Sequence, residues 1–145
     1  MTVFVHYDPS PRGRRALVEA GTWARVHARP LHVVRLVTHE SGGDSPVRAR
    51  SDMRSSFEAE SHLDHVRDEL ARDGIDTSVE VLHALQGSEA RVLLDAAAAA
   101  GAELIVIGIR RRSRVGKLLM GSLSQDLLLE APCPVLAVKG PPDEE

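Results

Sequence analysis

Leu104-Ile105-Val106-Ile107-Gly108 is the most apolar run of the chain. Four apolar residues in succession, without polar alternation, describe a strand covered on both faces and therefore near the centre of a sheet; the glycine ends it. Upstream, Ser88 is a candidate cap for a helix running through the alanines to Ala100, and Gly101 stops it. Downstream, a basic loop leads to Ser122–Glu130, a short helix with Leu123 and Leu127 turned inward. Pro132-Cys133-Pro134 then breaks the chain, and Val135-Leu136-Ala137-Val138 reads as a last strand.

The amino-terminal half repeats this alternation. Val3-Phe4-Val5 is a strand that stops at Tyr7-Asp8-Pro9-Ser10-Pro11, where two prolines preclude further pairing. Ser10 and Pro11 suit the cap and first position of a helix whose inward face carries Ala16, Leu17, Ala20, Trp23, Ala24 and His27, ending near Pro30. Leu31–Val37 is the next strand. Thr38–Arg50, with its Ser41-Gly42-Gly43-Asp44-Ser45-Pro46 cluster, reads as a surface loop. Ala59, Leu63, Val66 and Leu70 mark an amphipathic helix over about Met53–Asp73, closed by Gly74. Thr77–Leu82 alternates polar with apolar, as at a sheet edge. Strands separated by helices imply an α/β domain with a mainly parallel five-stranded sheet covered on both faces. Ligands of such sheets bind outside the carboxyl ends of the strands where the strand order reverses, which directs attention to the segments after the first and fourth strands.

The chain has 145 residues, enough for a single domain spanning 1–145, with the tail from Gly140 expected to fray. A formal net charge of −3 gives no global field for nucleic acid or anionic membrane, and aromatic residues for base stacking are few, so a nucleic-acid partner is not expected. Cys133 is the only cysteine, which excludes an internal disulfide. No stretch approaches the ~18 apolar residues of a membrane span, and Met1–Ser10 lacks a cationic start. A cytoplasmic location is the natural expectation.

After the fourth strand the chain reads Gly108-Ile-Arg-Arg-Arg-Ser-Arg-Val-Gly-Lys-Leu-Leu-Met-Gly121-Ser122-Leu123-Ser124. This resembles the nucleotide-binding signature of universal stress proteins, G-x2-G-x9-G-[ST], with Gly108, Gly121 and Ser122 in place and Arg111 replacing the second glycine. The Tyr7-Asp8-Pro9-Ser10 turn looks like the family's first-strand aspartate loop, and Ala131–Val138 like its ending, so the resemblance covers nearly the whole chain. It implies a Rossmann-like sheet of strand order 3-2-1-4-5 that binds an adenine nucleotide, ATP foremost and with Mg2+ as its companion. The implied site comprises Tyr7, Asp8, Leu36, Ile107, Gly108, Arg111, Gly121, Ser122, Leu123 and Ser124. Asp8 would accept from adenine or ribose, and Tyr7 or Leu36 would flank the base. The resemblance also implies a homodimer joined through Val135–Val138 and an unknown regulatory protein partner.

Elementary physics points to the same place. A glycine at a buried strand end permits close approach, and the amides opening a helix present free donors to a phosphate. Arg110, Arg111, Arg112, Arg114 and Lys117 add cations. The same glycines also fit plain turns, Ser122 a plain cap and Asp8 a plain turn former. Gly116-Lys117 lacks the rest of a phosphate-binding loop, and no dinucleotide fingerprint follows the first strand. His62 and His65 share a helix face without a metal-ligand pattern, His6 ends a strand, Cys133 suits packing, and His83 and Ser88 show no third partner for a triad. No catalytic constellation stands out. A slow ATPase and a nucleotide-free dimer acting through protein contacts remain the alternatives.

Overall fold

The computed structural model describes residues 1–40, 46–110 and 121–142. β1 (Thr2–His6), β2 (Leu31–His39), β3 (Thr77–Leu85), β4 (Ala102–Ile109) and β5 (Val135–Lys139) form one sheet of order β3-β2-β1-β4-β5. Every pairing is parallel. The connections run through α1 (Pro11–Val26), α2 (Pro46–Arg72), α3 (Glu89–Ala99) and α4 (Ser122–Glu130). The order 3-2-1-4-5 is the one implied by the resemblance, and the chain reverses between β1 and β4.

Because strand side chains alternate, neighbouring residues of one strand serve two different cores. Val3 and Val5 of β1 and Val106 of β4 pack with Ala16, Ala20, Ala24, Leu63 and Val66 of α1 and α2. Phe4, Ile105 and Ile107 face the other way, onto Leu93, Ala97 and Leu127 of α3 and α4. Full burial of each such large apolar side chain stabilises by about 1.5–3 kcal/mol. The polar-apolar alternation of β3 and its edge position agree, as does the complete burial of Leu104–Ile107.

Four boundaries or faces differ from the sequence reading. Trp23 is 41% exposed and meets the exposed His27 ring in a tilted contact, 4.6 Å between centroids. The inward stripe is set by the four-residue spacing of Ala16, Ala20 and Ala24, and Trp23 falls one position outside it. α2 begins at Pro46, not near Met53, because no breaker lies between Pro46 and Gly74; its first turns escape apolar periodicity, and Met53 and Phe57 are exposed there. Residues 41–45 of the expected loop lie outside the described residues. β2 and β3 extend to His39 and Leu85, paired over nine positions from Leu31 with Thr77 to His39 with Leu85. Gly140, the first residue of the tail expected to fray, is buried, donates to the Ile109 carbonyl at 2.8 Å and has its own carbonyl within 3.4 Å of Arg15, while 143–145 lie outside the described residues.

Two glycines set how closely α1 meets the sheet. A Cβ on Gly108 of β4 would stand 2.6 Å from the Arg12 carbonyl oxygen, and one on Gly13 would stand 2.1 Å from the Asp8 carbonyl oxygen. Neither partner is a flexible side-chain end; both are backbone. At Gly121, by contrast, an added Cβ meets nothing within 4 Å among the described residues. Gly108→Ala is therefore expected to destabilise the fold by about 1–3 kcal/mol through overpacking, whereas Gly121→Ala should cost no more than about 1 kcal/mol, the loss of a favourable cap. Urea denaturation of the two variants beside wild type checks the ranking, and equal midpoints would contradict it.

Candidate ligand cleft at the carboxyl ends of the strands

The loop leaving β1 is built by local hydrogen bonds. The Ser10 amide donates to Asp8 Oδ1 at 2.8 Å, and the Ser10 hydroxyl oxygen caps α1 by accepting from the Gly13 amide at 3.1 Å. Pro11 follows at the first helical position, where its missing N–H costs nothing. Burial works against the Asp8 charge, but hydrogen bonds from the Ser10 hydroxyl and amide, with the Arg12 charge nearby, outweigh it and hold the carboxyl below the ordinary carboxylate range. Asp8 is thus a pre-oriented anion, partly exposed at the point where the strand order reverses.

Across that point, the end of β4 has Ile107 buried in the α3/α4 core and Gly108 pressed against the first turn of α1. Where the sequence points to room for a ligand at Gly108, the missing side chain makes room for the Arg12 carbonyl. The start of α4 is different. Gly121 is its N-cap and supplies no side chain, and the Gln125 amide is bonded to the Gly121 carbonyl at 3.1 Å. The amides of Ser122, Leu123 and Ser124 precede that ladder, so they are the donors that a helix start leaves over. Gly121 and Ser122 are exposed, and Leu123 and Ser124 are half-buried. Arg111 lies outside the described residues, as do Arg112, Arg114 and Lys117.

Leu36 is partly buried on the α3/α4 side of β2. Tyr7 is not available to flank a base. Only 2% exposed, it belongs to the α1/α2 core, where its hydroxyl meets His62 Nε2 at 2.7 Å and the two rings stack at 5.7 Å. Burial raises its phenol above the ordinary value, with the Arg14 and Arg35 charges opposing. Strand alternation accounts for the placement: Tyr7 follows Val3 and Val5, whereas His6 points to the other face.

Three features escaped the sequence reading. Gly13 is one, and its only signal was a glycine at the third position of a helix, which propensity disfavours. The second is the His62 partner of Tyr7. The third lies at the carboxyl ends of β2 and β3: His39 Nδ1 is 3.2 Å from Asp52 Oδ2, its Nε2 is 2.9 Å from His83 Nδ1, and the two rings stack. His83, for which the sequence shows no third partner beside Ser88, has His39 and, through it, Asp52. His39 falls in the segment expected to be loop, and Asp52 between that loop and the expected start of the next helix. Cys133 is half-buried, and burial raises its thiol, opposed by a backbone contact at Ile105, as suits packing rather than nucleophilic attack. Among the described residues, no group of three or more His, Cys, Asp or Glu is placed to hold a metal ion.

The profile of the universal stress protein family matches residues 1–139. The chain belongs to the universal stress protein family. A universal stress protein of Mycolicibacterium smegmatis is 39% identical over 141 residues, 94% of this chain and 96% of that protein. Among solved structures, a universal stress protein from Archaeoglobus fulgidus superposes with a TM-score of 0.74 at 31% identity, covering 96% of this chain and 98% of that one. The universal stress protein from Archaeoglobus fulgidus in complex with dAMP superposes with a TM-score of 0.66 at 26% identity, covering 96% and 98%. The family's Rossmann-like α/β architecture is therefore this chain's architecture.

His6, at the end of β1, carries a pH consequence. Burial, opposed by the Asp8 charge and assisted by those of Arg12 and Arg35, lowers its pKa below 6.5. Between 6.5 and the folded value the unfolded chain binds a proton that the folded chain does not, so stability present above pH 6.5 is lost as pH falls through that window. Urea midpoints measured from pH 7.5 to 5.0 are expected to drop, and His6→Asn should flatten the upper part of the decline. A wild-type midpoint constant across the range would contradict the burial of a neutral imidazole.

Proposed function

We propose that this universal stress protein binds an adenine nucleotide, ATP foremost, between the Asp8 loop and the Gly121–Ser124 helix start, and acts as a dimeric binding module in a cytoplasmic stress response. The observation that carries the reading is the start of α4, where three consecutive backbone donors follow a glycine N-cap that no other described residue crowds within 4 Å. A phosphate there gains charge-assisted hydrogen bonds and the favourable end of the helix dipole. Asp8, held anionic, accepts from the amino group of the base or a ribose hydroxyl, and Leu36 offers an apolar surface to the ring. The dAMP complex of the Archaeoglobus fulgidus relative supports an adenine nucleotide as the ligand class.

Binding rather than turnover is the proposed role. Phosphoryl transfer needs an oriented water and a base or metal-holding carboxylates. The Asp8 carboxylate is engaged by Ser10, and magnesium would enter carried on the phosphates rather than held by a protein cluster. Bound nucleotide stabilises the folded state by mass action and changes the surface that a regulatory protein partner reads.

The dimer follows from the edge. Among the described residues β5 pairs with β4 alone, and Val135, Leu136, Ala137 and Val138 are all half-buried at that edge of the sheet. Such an edge invites a second strand, and antiparallel pairing of two copies closes it. Sedimentation at micromolar concentration should give a dimer; a monomer there would refute this part.

Isothermal titration with ATP tests the cleft. Gly121→Val, which puts a branched side chain at the open approach, is expected to weaken binding by at least about tenfold, or 1.4 kcal/mol, while sedimentation still reports a dimer. Equal affinity in wild type and variant would remove the cleft from the account. Arg111→Gly reports on the departure from the signature: a fall in affinity assigns Arg111 to the phosphates, and a rise assigns it to obstruction.

A further inference from the structure

At the opposite, amino-terminal ends of β2 and β3 lies an open groove of about 680 Å³ between the sheet and α3. Three of its lining residues form a connected series. His32 Nδ1 is 2.6 Å from Ser78 Oγ, and His32 Nε2 is 3.3 Å from Glu80 Oε1. Parallel pairing accounts for the geometry: His32 and Ser78 are register partners, and Glu80, two residues along β3, shares their face. The imidazole is held besides by the ring of buried Phe4, 5.9 Å away, and its side chain is only 15% exposed, whereas Ser78 is exposed to the groove.

We propose that Ser78 is a nucleophile activated by His32, with Glu80 as the positioning residue, and that the groove takes small esters with an apolar acyl group. The carboxylate of Glu80 accepts the Nε2–H of neutral His32, which fixes the tautomer and leaves the Nδ1 lone pair to accept the Ser78 hydroxyl. This is the nucleophile, base and orienting acid arrangement of acyl-transfer sites, recognised by geometry rather than chain order.

The chemistry balances without any further reagent. Ser78 Oγ bonds to the ester carbonyl carbon as its proton passes to His32 Nδ1. The carbon–oxygen bond to the leaving group breaks as His32 returns that proton to the departing alkoxide. Water then attacks the acyl-serine, giving its proton to Nδ1, and the carboxylic acid departs as Ser78 regains its hydrogen. β3 is an edge strand, so amides along its outer side have no sheet partner among the described residues and can donate to the developing oxyanion. Leu82, Val92 and Ala96 offer the acyl group an apolar bed, while Glu80 and Asp95 disfavour an anionic substrate.

The full-length protein incubated with p-nitrophenyl butyrate should release nitrophenolate and carry a butyryl group on Ser78, located by peptide mass spectrometry; a fluorophosphonate probe should label the same residue. Ser78→Ala should abolish both. His32→Gln should slow turnover by about 10²-fold, the scale of a lost general base. Glu80→Gln should lower kcat by about tenfold with KM unchanged, which separates positioning from substrate binding. Thermal melts by circular dichroism confirm that each variant is folded, and the mass of the wild-type adduct needs no variant at all. An adduct on another residue, no adduct, or equal hydrolysis by Ser78→Ala would overturn the proposal. ATP titration of the same samples is independent of it, because the nucleotide cleft lies at the other end of the strands.

Discussion

The close approach of α1 to β4 is the constraint on which the rest of the molecule depends. It requires bare backbone at Gly108 against Arg12, and the same helical turn requires it again at Gly13 against the Asp8 loop. That contact fixes the direction in which α1 leaves the sheet, and with it the loop that presents Asp8. A side chain at either position would push the first helical turn off the strand and move the aspartate away from the point where the strand order reverses. Packing and site construction are thus one requirement, and the signature glycine at 108 serves the fold before it serves any ligand.

Much of this was legible beforehand because the relevant signals are local. Leu104–Ile107 announced a doubly covered strand, Ser10-Pro11 announced a helix start, and the spacing of Ala59, Leu63, Val66 and Leu70 announced the face of α2; all are found where expected. What failed depended on contacts between distant segments. The outer position of Trp23 is decided by which stripe of alanines meets the sheet. The early start of α2 is invisible to hydrophobic periodicity, since Met53 and Phe57 face solvent. The Tyr7–His62, His39–His83 and His32–Ser78 pairs join residues 44 to 55 positions apart, and no spacing rule links them.

For the candidate site the division is similar. Residue types and order point to the Asp8 loop and the Gly121–Ser124 helix start, but only the fold separates Tyr7, locked in the core, from Leu36, which is partly buried on the α3/α4 face. Charge follows the same logic: Asp8 stays anionic because Ser10 hydrogen bonds outweigh its burial, and His6 stays neutral because burial outweighs the nearby carboxylate. The two ends of the sheet are therefore chemically distinct, one built from backbone donors and an anion, the other from an imidazole relay beside an apolar groove.

A crystal structure of the protein soaked with ATP tests the central claim most directly. The account predicts phosphate oxygens within hydrogen-bonding distance of the Ser122, Leu123 and Ser124 amides, with the adenine or ribose on the Asp8 carboxylate. A helix start filled by the Arg111 guanidinium, with the nucleotide elsewhere or absent, would contradict it.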